Sequence, residues 1–355
     1  MTMTMNGMQG IVPGYLLARL AESERHSHAA HAARQTLIAG RPTFRAALEL
    51  SIDANGALVA EVTPAPTRTI FDAQNSEKLP GMIVRGEDDV PVADASVNEA
   101  FDGLGATFRM LLDAFDRDSL DGAGAALNAT VHYGEDYDNA FWDGQRMVFG
   151  DGDGEVFRGF TGSISVIGHE LGHGVIQSAS GLVYQGQSGA LNESIADVFG
   201  ALTEQHLRQQ SADEATWLIG EGIFTDAVQG RALRSMLEPG TAYDDDELGK
   251  DPQPGHMRDF VRTEEDNGGV HINSGIPNRA FALAAQAIGG NAWESAGLAW
   301  YRALSSGLST TAGFTEFAER TLAAAADIGS SVEEAIRTAW VTVGVIEDAR
   351  VRESR

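Results

Sequence analysis

The chain has 355 residues, 43% of them apolar and only ten of them proline, a globular composition long enough for two domains and unlike that of a disordered or fibrous protein. Acids outnumber bases 51 to 25, for a formal charge of −26, so basic patches for nucleic acid or an anionic membrane surface are not expected. Cysteine is absent, which excludes disulfides and thiol chemistry, and no apolar run reaches the roughly 18 residues needed to span a bilayer.

In chain order, the N-terminus lacks a positive segment followed by an apolar stretch. A standard secretory signal is therefore not expected; the chain reads as cytoplasmic when made, with release by another route left open. Residues 13–37 read as a polar helical stretch. Its His26, His28 and His31 come without a carboxylate or cysteine among them, which predicts a solvated helix or loop and no metal site. Residues 40–62 alternate like a short hairpin around "DANG", and "VTPAPTR" (62–68) is a proline-rich joint. A boundary between about 35 and 65 follows, giving an expected layout of 1–55, 56–167 and 168–355.

From residue 69 the predicted elements are short strands at "TIFDAQ", "GMIVRG", "ALNATVHYG" and "RMVFGDGDG". One amphipathic helix lies between them, with Phe101, Leu104, Phe108, Leu111 and Phe115 at helical spacing. Beyond about residue 163 helices dominate. Phe281, Ala284 and Ile288 mark one; Phe314, Phe317 and Leu322 mark a second; Val332, Ile336, Trp340 and Val343 mark a third. That third helix opens with a Ser330–Glu333 capping box and stops at Gly344. The fold class is α+β, a sheet-rich half followed by a helical half.

"GHELGHGVIQ" (168–177) lies at the join, where ligand clefts usually form. His169 and His173 are one helical turn apart, so both imidazoles face one side and are able to share a zinc ion, with Glu170 beside them as a base. A catalytic zinc takes three protein ligands and keeps one position open. "GALNESIADVFG" (189–200) supplies Glu193 as the third, and Asp197, one turn on, is placed to accept a ligand histidine's other N–H. A surface helix with two polar histidines is the bland alternative.

These residues, with "NGGVHINSGIPNRAF" (267–281), "DNAFWDGQRMVFGDGDG" (138–154), "GLVYQGQSGA" (181–190) and "ALRSM" (232–236), resemble the thermolysin family of zinc endopeptidases from about Arg68 to the C-terminus. "GIVPGYLLARL" (10–20) is similar to the short propeptide of its protealysin-like subgroup, with Val12, Pro13 and Tyr15 in the motif. The resemblance implies a two-domain fold with the zinc site in the cleft, protein or peptide substrates, and one zinc held by His169, His173 and Glu193. It implies Glu170 as general base, His271 and Tyr184 as oxyanion donors, and Asp266 as the carboxylate that orients His271. Arg234 would bind a substrate carbonyl, and Asn139 with the Ala140 backbone would hold an extended peptide. Phe157, Phe160, Val166, Ile219 and Leu233 would line the pocket after the scissile bond, favouring cleavage before large apolar residues. A latent precursor that processes itself is expected.

The family's calcium sites are a departure. Ser165, Thr216, Leu218 and Arg231 stand where acids are expected, while Glu204 and Glu221 remain; calcium wants six to eight oxygens, so Ca2+ is doubtful here. Two rival functions stay open. An aminopeptidase of the wider H-E-x-x-H group would need a Gly-x-Met-Glu-Asn motif, which is absent, and a catalytically silent zinc-binding protein would have no use for Glu170.

Overall fold

A computed structural model of the chain describes residues 10–39 and 64–347. The hairpin expected at 40–62 lies outside them. The chain opens with two helices, α1 (Gly14–Leu20) and α2 (Ser27–Ala39). The next elements are β1 (Arg68–Asp72), β2 (Met82–Gly86), α3 (Ala95–Phe115), β3 (Leu127–Val131), β4 (Ala140–Trp142) and β5 (Met147–Phe149). These five strands form one sheet in the order β2-β1-β3-β5-β4, in which β1–β3 and β3–β5 are parallel and the two edge pairs are antiparallel. α3 covers the sheet with the predicted stripe, and all five of its residues are buried. Asp94 starts this helix, accepting the Ser96 N–H at 2.9 Å.

The second half holds α4 (Ile164–Ala179), α5 (Gly186–Arg208), a two-stranded ribbon β6 (Leu218–Ile219) and β7 (Arg234–Ser235), and a second ribbon β8 (Asp244–Asp245) and β9 (Gly249–Lys250). It ends with α6 (Asp266–Asn273), α7 (Gly275–Ile288), α8 (Ala296–Leu304), α9 (Phe314–Ala326) and α10 (Ser330–Thr342). Phe281, Trp300, Phe317 and Trp340 pack α7 to α10 together, with the two tryptophan rings stacked at 5.6 Å. None of the described helices is long and apolar enough to cross a membrane.

Two local expectations need correction. The Ser330–Glu333 capping box does not form: Gly329 is the N-cap, Ser330 already lies inside α10, and Glu333 pairs with Arg337 one turn on instead. His26 is not solvated. It is buried, and Glu155, 129 residues away, accepts both its Nδ1–H and the Ala29 N–H at 3.0 Å. Sequence proximity could not reveal that partner. Among the other two, His28 pairs with Asp136 at 3.4 Å and His31 is exposed.

α4 and α5 meet backbone to backbone. A Cβ on Gly200 would stand 2.4 Å from the Ser165 carbonyl oxygen; one on Gly172 would be 3.0 Å from the Ala196 Cα, and one on Gly168 3.0 Å from the Gly200 Cα. Any larger residue there would drive the helices apart.

His132 joins three elements, donating from Nδ1 to Asp151 and from Nε2 to Asp94, each at 2.9 Å. The Asp151 hydrogen bond, opposed by burial and helped by Asp94, raises its pKa from 6.5 to about 9. A raised pKa stabilises the fold fully below about pH 6.5, and that contribution is lost as pH rises through about 9. The melting-temperature gap between the unmodified chain and His132→Gln should therefore be largest near pH 6 and shrink above pH 9; a gap independent of pH would refute the link.

Candidate metal centre and cleft

The sequence places His169 and His173 one turn apart on α4, and the α4–α5 contact brings Glu193 across to them. Their Nε2 atoms are 3.1 Å apart, and the Glu193 carboxylate oxygens lie 3.6 Å from each ring. A tetrahedral zinc with bonds of about 2.1 Å needs donor atoms about 3.4 Å apart. The three donors fit that edge length, and they form a metal-competent cluster among the described residues. Hydrogen bonding fits as well. His169 Nδ1 donates to Asp197 Oδ1 at 2.7 Å and His173 Nδ1 to Asn192 Oδ1 at 2.8 Å, leaving both Nε2 lone pairs turned towards the same point. Glu193 Oε2 is buried there and accepts no hydrogen bond. Burial would raise the Glu193 pKa, but the surrounding charges of His271, His173 and His169 lower it to about 2, so it is a carboxylate.

Glu170 follows His169 and is wholly buried, its Oε2 accepting the Trp142 N–H of β4 at 2.9 Å. Tyr184, in the α4–α5 turn, donates its hydroxyl to Glu193 Oε1 and stands 3.2 Å from His271 Nε2. The backbone of α6 begins left-handed through residues 266–269, which folds Asp266 over its own helix. Its carboxylate accepts the His271 N–H at 2.9 Å and Nδ1–H at 2.6 Å, aiming Nε2 at the centre. Burial would lower the His271 pKa, yet Glu193 and Asp266 outweigh it and raise it to about 9.

Asp197 is a hub. Arg234 of β7 grips it with two hydrogen bonds of 2.8 and 2.9 Å, and burial, which would raise its pKa, is overcome by Arg234 and His169, which hold it well below the carboxylate range. Asn278 Nδ2 donates to Asp197 Oδ2 at 2.8 Å, and Asn192 accepts the His173 Nδ1–H; both lie inside stretches that carry the family resemblance, but neither was singled out for a role from the sequence.

Residues 10–13 run through this cleft. The Ile11 N–H donates to the Ala140 carbonyl at 3.1 Å and its own carbonyl accepts Arg234 Nη1 at 3.0 Å. The Val12 N–H donates to Asn139 Oδ1 at 2.9 Å, and Asn139 Nδ2 returns a bond to the Val12 carbonyl at 3.1 Å. Pro13 is the N-cap of α1, and the Tyr15 hydroxyl bonds Tyr243. Ile11 and Val12 are fully buried and belong to the same main apolar core as Phe157, Phe160, Val166, Ile219 and Leu233, which are buried too. Burial of this extent contributes about 1.5–3 kcal/mol per side chain. Arg19 donates to the Asp246 and Glu247 carbonyls, and Thr36 Oγ1 accepts the Asp138 N–H, so both N-terminal helices are fastened to the sheet and ribbon.

Four of the residues at the family's calcium positions have partners within the protein. Ser165 Oγ accepts the Gly220 N–H at 3.1 Å, Glu204 pairs with Arg208 at 2.8 Å, and Thr216 Oγ1 donates to Glu221 at 3.4 Å. Leu218 is buried and Arg231 is exposed. A guanidinium beside Glu204 opposes a divalent cation.

Comparison with known proteins agrees with this geometry. Residues 56–177 match the thermolysin metallopeptidase catalytic domain and residues 180–345 its alpha-helical domain. The chain is 51% identical over 280 residues to an extracellular metalloprotease of Pectobacterium carotovorum subsp. carotovorum, covering 78% of this chain and 81% of that protein. It is 45% identical over 344 residues to protease PrtS of Photorhabdus sp. (strain Az29), covering 96% and 93%. Among solved structures, the precursor of protealysin, a metalloproteinase from Serratia proteamaculans, superposes with a TM-score of 0.86 at 47% identity, covering 95% of this chain and all of that one. The two-domain α+β fold, the His-Glu motif helix and these matches together mean that the chain belongs to the thermolysin family of metalloendopeptidases.

Proposed function

We propose that this metalloendopeptidase uses one zinc ion held by His169, His173 and Glu193, cleaves internal peptide bonds before large apolar residues, and is made latent by its own residues 10–39. The observation that carries the catalytic reading is the trio of donor atoms 3.1–3.6 Å apart with Glu170 beside them. Zinc bound there would supply positive charge that acidifies water and polarises a peptide carbonyl. The chain supplies the remainder. Glu170 takes the proton of the attacking water as the new C–O bond forms and delivers it to the leaving nitrogen as the C–N bond breaks. His271 Nε2–H and the Tyr184 hydroxyl donate to the carbonyl oxygen as it gains charge, with Asp266 holding the imidazole. Arg234 and Asn139 with Ala140 orient the peptide on the leaving-group side.

Latency is supported by the path of Ile11 and Val12, which use the bonds a substrate would need at Ala140, Arg234 and Asn139. On this reading Ile11 occupies the apolar pocket of the residue after the scissile bond. Gly10 is the tight point of this path. A Cβ there would be 2.8 Å from Asn139 Nδ2 and 2.9 Å from the Ala140 carbonyl, so a side chain would push the segment off the edge or displace Asn139. Activation removes a segment ending between about residues 35 and 65, by self-cleavage, and 56–167 and 168–355 then form the two halves of the mature enzyme.

Phenanthroline should abolish cleavage of a casein-like substrate and zinc should restore it, whereas a calcium-selective chelator should leave the melting temperature within a few degrees of its starting value. Activity in a metal-free preparation, or a large calcium-dependent shift, would contradict the respective assignment.

His271→Ala should lower kcat by about a hundred-fold or more while zinc stays bound, because it removes a transition-state donor and no ligand. Metal analysis checks this: loss of zinc would mean that the residue is a ligand.

Glu170→Ala should remain at full length on storage while the unmodified chain shortens and gains activity. Gly10→Ala should shorten and gain activity sooner, and Gly14→Ala, whose Cβ meets nothing within 4 Å, should not. Equal latency in all the processing-competent chains would remove Gly10 from the device, and full activity with Met1 attached would remove latency itself.

A further inference from the structure

Asp197 touches both the proposed zinc ligand His169 and the peptide clamp Arg234. Its two oxygens receive four donors: Oδ1 accepts His169 Nδ1–H at 2.7 Å and Arg234 Nη2 at 2.8 Å, and Oδ2 accepts Arg234 Nε at 2.9 Å and Asn278 Nδ2 at 2.8 Å. Asn278 is the one neutral, non-ligand member of that set. It projects from the first turns of α7, just beyond α6 and its His271, and is wholly buried. Its amide oxygen is buried without a hydrogen bond, a desolvation cost that a residue serving only to fill space would not incur.

We infer that Asn278 is a positioning residue for catalysis: its amide fixes the rotation of the Asp197 carboxylate, so that one carboxylate orients both the metal-binding imidazole and the guanidinium that clamps the peptide. The physical reason lies in the symmetry of a carboxylate. Held by His169 and Arg234 alone, Asp197 has both strong partners on Oδ1, and Oδ2 is steadied by Arg234 Nε only. A rotation of the carboxylate would then trade the His169 bond against the Arg234 pair. The Asn278 amide on Oδ2 opposes that rotation from a different helix. It keeps the Nδ1–H of His169 donating, and hence Nε2 free for metal, while Arg234 Nη1 stays aimed at the peptide carbonyl, here that of Ile11. The bond also ties the α6–α7 segment, which carries His271, to the α4–α5 pair that carries the zinc ligands.

This inference rests on the zinc reading above, and the test separates the two. Zinc affinity is measured by competition with a chromophoric chelator on the full chain carrying Glu170→Gln, so that chain length stays constant. The same background receives Asn278→Ala, Asp197→Ala and the pair. Asn278→Ala should weaken zinc binding by about ten-fold, within the ten- to hundred-fold range usual for groups that orient ligands. In the Asp197→Ala background the same substitution should cost nothing further, because its effect passes through Asp197. In an otherwise unaltered chain, Asn278→Ala should also raise KM for a blocked internal peptide through the loosened clamp. Equal zinc losses with and without Asp197, or an unchanged zinc affinity with only a lowered melting temperature, would overturn the inference and leave Asn278 as packing. Asn278→Ser, a smaller perturbation that keeps a hydroxyl donor, runs the same cycle should the alanine chain fail to fold. A parent chain that binds no zinc at all would sink the proposed function instead, before Asn278 is tested.

Discussion

The backbone contact between α4 and α5 is the constraint on which the rest of this molecule depends. Two histidines on one helix and a glutamate on another share one ion only where the packing of the two helices brings their donors to a common point. Gly168, Gly172 and Gly200 remove side chains at the crossing, and the Ser165 carbonyl leaves no room for a Cβ opposite it. Every other feature of the centre is referred to this crossing. Asp197 reaches back from α5 to His169, Asn192 to His173, and Tyr184 in the intervening turn reaches Glu193. The cost of burying so much charge is met by pairing: Asp197 with Arg234, His271 with Asp266, and the Glu193 carboxylate with the imidazoles around it.

The sheet-rich half contributes less chemistry and more geometry. β4 is three residues long and forms the edge of the sheet, and its Ala140 carbonyl and the neighbouring Asn139 side chain remain available to a strand laid alongside. The chain's own Ile11 and Val12 occupy that edge. The same β4 also donates a backbone N–H from Trp142 to Glu170, so the strand on which Ile11 lies also holds the proposed base.

The N-terminal segment is attached at points spread along its length. Ile11 and Val12 are in the cleft, Tyr15 and Arg19 at the β8–β9 ribbon, His26 and Ala29 on Glu155, and Thr36 on Asp138. Several of these are single hydrogen bonds, each worth about 1 kcal/mol net, so the hold is cumulative and the apolar burial of Ile11 and Val12 weighs heavily.

Much of this was legible from residue types and spacing alone. Phe101 to Phe115 at helical spacing mark α3 because a helix on a sheet must bury one stripe, and His169, Glu170 and His173 declare their chemistry because one helical turn sets their faces together. Glu193 followed from the ligand count of zinc and Asp197 from the carboxylate a metal-bound histidine wants for its other N–H, and the family resemblance added His271, Tyr184, Arg234 and Asn139. What sequence could not decide was long-range partnership. β4 has no alternation, since all three residues pack; the Ser330–Glu333 box lost to Gly329 and Arg337; His26 looked solvent-facing because Glu155 is 129 residues away. Asn278 lay without a role inside the stretch 267–281 until folding set its amide 2.8 Å from a carboxylate 81 positions earlier. Periodicity and local spacing are properties of one turn or one strand, and the sequence determines them directly. Hydrogen-bond partners drawn from separate elements exist only once packing has chosen which backbones touch, and in this protein the glycine contact of α4 with α5 makes much of that choice.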